Sequence, residues 1–284
     1  MPEGDTIYRS ARALGRALTG KTVTRFESGY AQLVQADDQL PFAGQTVTLV
    51  EARGKWLLMH FSAGSVLATH MLMTGSWHIY RPGERWQAPR RDLRVLLETE
   101  DFVAVGFRIP LAKIHTEASL ARDLRIPPPA ADLLRAEFAP AQALARLTEE
   151  GREELANALL NQRLLAGVGN VFKSEICFLL GLSPFALLGS LSETQLQAVV
   201  AMAQKLLAAN VLEDSGDRIV TFQGRRRRTT NASDPKENLW VYGRTGEPCR
   251  KCGEPIRRCL QGPDARSTYW CPRCQPLPAP AQDR

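Results

Sequence analysis

Ile126-Pro127-Pro128-Pro129-Ala130 separates two stretches of chain that are written in different patterns. Each proline fixes φ and removes a backbone donor, so neither a helix nor a sheet ladder runs through the triplet. The stretch predicts a stiff boundary. It ends an N-terminal domain, residues 1–125, and opens a helical domain, residues 126–238.

Towards the N-terminus, the chain reads as one helix followed by many short strands. Ile7, Ala11, Leu14 and Leu18 recur at three- and four-residue spacing, which predicts an amphipathic helix over 5–18, ended at Thr19-Gly20-Lys21. From Thr22 to about Leu111 the pattern becomes β-like. The candidates are 46–50, 56–61, 65–69, 77–80, 93–97 and 102–105, broken by Gly, Asp and Pro. That density of strands predicts a sandwich or barrel. Two places here can carry chemistry. Lys55, in the turn Arg53-Gly54-Lys55, can reach a phosphate, or is an ordinary solvated turn lysine. The long apolar side chains of His70-Met71-Leu72-Met73-Thr74-Gly75, beside a glycine turn, can be pushed between stacked bases as a wedge, or are plain core methionine. His60, His70, His78 and His115 show no ligand spacing and read as structural or surface residues.

Towards the C-terminus the period changes to helical. Helices are expected over 132–138, 140–147, 150–165, 171–180 and 192–209, with Gly181 as a stop. Ser192 and Gln195 form a capping box, with Leu191 and Leu196 as its hydrophobic staple. Gly167-Val168-Gly169-Asn170 is a tight turn leading into a helix. Its backbone donors and the helix dipole suit a phosphate, although a helix–turn–helix corner needs glycine in any case.

The chain has 284 residues, 44% hydrophobic and 23% charged, the composition of a soluble globular protein. No run is long enough to cross a bilayer, and the acidic start does not read as a signal peptide. A cytoplasmic protein without membrane association is expected. Residues 215–274 hold 13 Lys/Arg against 6 Asp/Glu, a net +7 that exceeds the whole chain's +6. A local basic excess of this kind points to a polyanion such as nucleic acid. Arg225–Arg228 lies within it, as a solvated loop or one that orders on nucleic acid.

In a reducing compartment six cysteines are ligands or thiols before they are disulfides. Cys249-x-x-Cys252 and Cys271-x-x-Cys274 stand eighteen residues apart, the spacing of a four-thiolate zinc site. All four positions are filled by protein, so one structural Zn2+ is expected and no catalytic one. Residues 239–275 then read as a zinc finger, whose hairpin presents Arg257, Arg258 and Arg266. Residues 276–284 read as a disordered tail.

The first residues give the chemistry its centre. Removal of Met1 would leave Pro2 with a free secondary amine, and Glu3 beside it as a proton donor. An amine and a carboxyl group in that relation suit Schiff-base chemistry at a sugar carbon. Pro followed by acidic residues is also an ordinary helix start.

Together, Pro2-Glu3-Gly4-Asp5, Arg53-Gly54-Lys55, Gln162-x-x-x-Ala166-Gly167-Val168-Gly169-Asn170, Glu175 and Val241 through Cys274 resemble the Fpg/Nei family of DNA repair glycosylases, in particular its endonuclease VIII branch. The resemblance implies an α+β protein of two domains. The first is an N-terminal helix plus β-sandwich. The second is a helical domain with a helix-two-turn-helix motif and a four-cysteine zinc finger. It implies that Pro2 attacks C1′ of a damaged nucleotide, that Glu3 moves protons, and that Lys55 contacts the phosphate by the lesion. It implies further phosphate contacts from Asn170 and Arg266, and a gap-filling wedge from Leu72, Met73 and Thr74. The partner would be damaged or abasic DNA, bound by a monomer without a small-molecule cofactor. The chain departs from common family patterns at Val105–Pro110, which lacks Arg-x-Phe, at Asp5 and at Thr74. These departures bear on lesion choice. The expected activity is a bifunctional glycosylase/AP lyase for oxidised pyrimidines, cutting by β,δ-elimination. The alternatives are an oxidised-purine or mainly AP-lyase enzyme, and a non-catalytic DNA-binding zinc protein.

Overall fold

The apolar stripe of Ile7, Ala11, Leu14 and Leu18 becomes the buried face of helix α1 (Gly4–Leu18). The computed structural model describes residues 2–211, 221–222 and 235–276. It divides into two compact units, Met1–Pro128 and Pro129–Arg284. Met1, the arginine run 225–228 and residues 277–284 lie outside the described residues.

In the first unit, α1 is followed by β1 (Arg25–Ser28), α2 (Ala31–Gln39), β2 (Val47–Arg53), β3 (Trp56–Phe61), β4 (Ser65–His70), β5 (Ser76–Tyr80), β6 (Leu93–Glu98), β7 (Val103–Phe107), β8 (Leu111–Thr116) and α3 (Glu117–Arg122). Two four-stranded antiparallel sheets form, in the orders β1-β6-β7-β5 and β2-β3-β4-β8. One core joins them to α1. It takes Leu14 and Leu18 from the helix, Leu57, Met59 and Leu67 from one sheet, and Val95 and Leu97 from the other. Trp56, Leu58, Val66 and Ala68 point to the opposite face, where Leu120 of α3 and Ile126 cover them. Burial on both faces explains why Trp56–Met59 is continuously apolar and does not alternate. Helix α2 interrupts a stretch whose sequence reads as strands alone, and α3 follows that stretch.

The second unit contains α4 (Pro140–Glu149), α5 (Leu155–Leu160), α6 (Asn170–Leu180), α7 (Glu193–Ala209) and the antiparallel hairpin of β9 (Arg257–Gln261) and β10 (Arg266–Trp270). Leu147, Leu155, Leu159, Phe172, Ile176, Val199 and Ala203 build its helical core. The capping box forms at α7, with Ser192 Oγ accepting from Gln195 N–H and the Gln195 side chain accepting from Ser192 N–H. Gly181 closes α6 in the left-handed region at φ +68.

Two helical expectations are corrected. Residues 132–138 form turns. The Asp132 carboxylate accepts the Leu134 N–H at 3.0 Å, a local bond that competes with helix formation. Of 150–165, only Leu155–Leu160 is α-helical. The N–H groups of Leu155 and Ala156 go to the distant carbonyls of Ala186 and Pro184, and Asn161 Oδ1 takes the Arg163 N–H past the helix end. No helix among the described residues is long and apolar enough to cross a membrane.

Candidate active site and nucleic-acid-binding residues

Pro2 immediately precedes the first turn of α1. Glu3 is the N-cap residue, extended at φ −113 and ψ −174, and its carbonyl accepts the Ile7 N–H at 3.1 Å. The Glu3 side chain is fully buried. Asp5, in the first helical turn, is also fully buried, with Oδ2 3.2 Å from the Arg9 guanidinium. Burial raises the Asp5 carboxyl above the usual carboxylate range, and Arg9 opposes that shift. Two buried carboxyl groups within three residues of Pro2 distinguish this helix start from one whose acidic residues face water.

Helix α1 packs against β2, the strand that leads into Lys55. Gly54, at φ +59, takes the first place of the two-residue β2–β3 turn, and half-buried Lys55 takes the second. The next hairpin, β3–β4, pairs Trp56 with His70, and their rings meet edge to face at 5.1 Å. Burial first, and then the Lys55 charge, push His70 down to about 4. His70 is therefore neutral near pH 7, and its Nδ1 accepts the Leu72 N–H at 3.1 Å. That bond holds Leu72 at φ +45, a conformation that leucine rarely adopts.

The turn beyond His70 projects apolar groups into solvent. Met73 is 64% exposed and Leu72 43%. Thr74 Oγ1 donates to the Arg108 carbonyl at 3.3 Å, and Gly75 N–H donates to the Met71 carbonyl at 2.8 Å. A Cβ at Gly75 would stand 2.8 Å from the Met71 carbonyl oxygen and 3.0 Å from Ile109 Cα, so only glycine fits. The fold thus gathers Lys55, His70 and the 72–74 turn into one neighbourhood. His70 is the residue that sequence reasoning passed over. Its partners are a backbone N–H and a lysine that only the strand pairing brings near.

In the second unit, Gln162 shapes the glycine turn. Its Nε2 donates to the carbonyls of Leu160 and Val168, at 2.8 and 3.0 Å, and its Oε1 accepts the Gly167 N–H at 3.0 Å. Gly167 lies at φ +105 and Gly169 caps α6, which places Asn170 as its first residue. Asn170 is 7% exposed, and its Oδ1 has no hydrogen-bond partner among the described residues. The helix N-terminus suits an incoming anion, and of the two amide atoms of Asn170 only Nδ2, and not Oδ1, can donate to one.

Glu175, fully buried on the same helix, accepts the N–H groups of Trp240, Val241 and Tyr242 at 2.8–2.9 Å, together with the Thr221 hydroxyl. It fastens the entry to the cysteine segment onto α6. The Cys249, Cys252, Cys271 and Cys274 sulfurs lie within 4.8 Å of one another, with Cys249–Cys274 at 3.9 Å and Cys252–Cys271 at 3.5 Å. A tetrahedral ion with sulfur ligands at about 2.3 Å has sulfur–sulfur edges of about 3.8 Å, so the cluster fits a metal ion and is consistent with a zinc finger. The strands between the knuckles carry exposed Arg257, Arg258 and Arg266. Arg266 opens β10, 3.5 Å from Asp264.

The sequence profile of the formamidopyrimidine-DNA glycosylase N-terminal domain matches residues 1–109, and that of its H2TH domain matches residues 130–221. Similar proteins include a probable endonuclease 8 2 of Streptomyces coelicolor, 41% identical over 99% of this chain and 96% of the relative. Another is the DNA-(apurinic or apyrimidinic site) lyase Nei2 of Mycolicibacterium smegmatis, 37% identical over 97% and 99%. The fold resembles that of the Lactococcus lactis formamidopyrimidine-DNA glycosylase bound to DNA containing an abasic site, with a TM-score of 0.78 at 20% identity over 97% of this chain and all of that one.

Proposed function

From the premise that this chain belongs to the Fpg/Nei family of DNA glycosylases and AP lyases, we propose that it removes oxidised pyrimidines from DNA and cuts the strand by β,δ-elimination. The observation that carries the reading is Pro2 at the start of α1, directly beside the fully buried carboxyl group of Glu3. With Met1 removed, the Pro2 nitrogen attacks C1′ and the damaged base leaves with the glycosidic electron pair. Glu3 protonates the sugar ring oxygen, the ring opens, and an iminium links Pro2 to C1′. The iminium acidifies C2′. Loss of that proton expels the 3′ phosphate, and a second elimination expels the 5′ phosphate. The attacking amine must be neutral. A free α-amino group titrates at roughly 7.7–8.0, and cationic Lys55 would favour the neutral form.

The other residues take supporting parts. Lys55 holds the phosphate by the lesion, and Asn170 and Arg266 hold phosphates from the second unit. Leu72, Met73 and Thr74 fill the space left by the flipped nucleotide, which offsets an unstacking cost of a few kcal/mol. The four thiolates hold one zinc ion. With no coordination position left open, the ion's contribution is to fix the shape of the hairpin. The enzyme acts as a monomer in the cytoplasm.

Borohydride trapping on duplex DNA with thymine glycol or an abasic site tests the mechanism. Wild type should give a covalent adduct, and Pro2→Ala should give only background. An undiminished adduct in Pro2→Ala overturns the mechanism, and mass spectrometry showing Met1 retained does the same. The similarity to the AP lyase Nei2 of Mycolicibacterium smegmatis favours a second reading, in which the enzyme is chiefly an AP lyase. Cutting of abasic DNA without release of thymine glycol would select it.

A further inference from the structure

Lys173 lies one turn after Asn170 on α6 and is 1% exposed. Its Nζ donates to the Ser267 carbonyl at 2.9 Å and to Thr268 Oγ1 at 2.8 Å. These are the two residues that follow Arg266 on β10. Beside it, Ser174 Oγ donates to the Asn170 carbonyl at 3.1 Å and accepts the Tyr269 N–H at 3.4 Å. The two residues assigned to phosphate, Asn170 and Arg266, are thus joined through a short path of fixed polar bonds.

A lysine is a costly choice here. Its ammonium is removed from water and sits near the positive end of the helix dipole. Methionine would fill a similar volume without either cost. The lysine adds direction: a charged donor bonds strongly to oxygens at set positions and fixes the register of strand against helix. We propose that Lys173 is a positioning residue for the DNA grip, setting the spacing between Asn170 and Arg266 so that both engage phosphates of the same DNA. The inference rests on the phosphate roles assigned above.

The test is a double-mutant cycle on the full-length protein, read as affinity for a duplex containing a tetrahydrofuran abasic analogue. Lys173→Met should weaken binding about tenfold, the scale of one or two lost hydrogen bonds. Single-turnover cutting at saturating abasic DNA should keep its wild-type rate, which separates positioning from chemistry. Arg266→Ala should weaken binding by itself, and adding Lys173→Met to it should cost little more. Thr268→Val keeps the lysine and its Ser267 bond and removes one acceptor. It should weaken binding about threefold and couple to Arg266→Ala in the same way, even if Lys173→Met does not fold. Wild-type affinity in both Lys173→Met and Thr268→Val overturns the proposal, as does full additivity with an affinity-defective Arg266→Ala. Wild-type affinity in Arg266→Ala overturns the phosphate grip, and the proposal with it.

Discussion

The 71–75 turn of the first unit and the β9–β10 hairpin of the second both present side chains suited to DNA, and they are held by opposite means. The turn depends on backbone shape. Leu72 is held at positive φ by one neutral imidazole, and Gly75 sits where no Cβ fits. The hairpin depends on side-chain fastenings. Gln261 Nε2 reaches Glu154 and the Pro184 carbonyl, at 2.8 and 3.1 Å, and Gln275 Nε2 reaches the Leu182 carbonyl at 2.9 Å. Phe185 meets the Trp270 ring edge-on, with centroids 4.9 Å apart. A wedge must keep its apolar tips exposed and so cannot be held by burying them. A phosphate grip can anchor its base freely, because only the arginines need solvent.

Metal removal should produce the largest effect. Structural zinc sites contribute on the order of 10 kcal/mol, whereas each side-chain fastening is worth about 1 kcal/mol, so the fastenings alone should not hold the hairpin. Chelation should change Trp270 fluorescence and reduce strand cutting to background. Full cutting by metal-free protein would show that the fastenings suffice. Next comes Gly75→Ala, which should destabilise the protein by about 2 kcal/mol in denaturant titration, the scale of a forced backbone shift. An unchanged midpoint would show that the turn yields, and the contrast with the hairpin would weaken.

Acid sensitivity gives a third comparison. His70 is held down to about 4 in the folded chain, against 6.5 for an ordinary histidine. Between those values the unfolded chain binds more protons than the folded one, so stability is lost as pH falls from 6.5 towards 4. His70→Asn keeps an acceptor for the Leu72 N–H and does not titrate. Its stability should fall less steeply across that window, measured by denaturation at matched pH. Parallel slopes would show that His70 is not held neutral in the folded chain.

Features with local chemical signatures were legible in the sequence. Ser192 with Gln195, Gly181, and the paired cysteines each specify a local geometry that needs no distant partner. The helix over 150–165 was read too long because Leu155 and Ala156 bond to carbonyls some thirty residues away. Helix α2 was missed because a nine-residue helix with one buried residue, Leu33, carries little periodic signal. In the site, Pro2 and Glu3 were visible as a pair, but the burial of Glu3 and Asp5 was not. Glu175 is among the residues of the family resemblance and Lys173 is not. Their partners lie on the cysteine segment, which only folding brings against α6.

The Glu175 carboxylate ties stretches that are far apart in sequence to one helix. Both Thr221 N–H and Phe222 N–H donate to the Asn238 carbonyl at 2.9 Å, and Thr221 and Trp240 are bound to the same carboxylate. Residues 221–222 and 238–242 therefore meet at one clasp on α6. Loss of that one carboxylate would release both stretches at once, so Glu175 is a single point on which two parts of the chain depend.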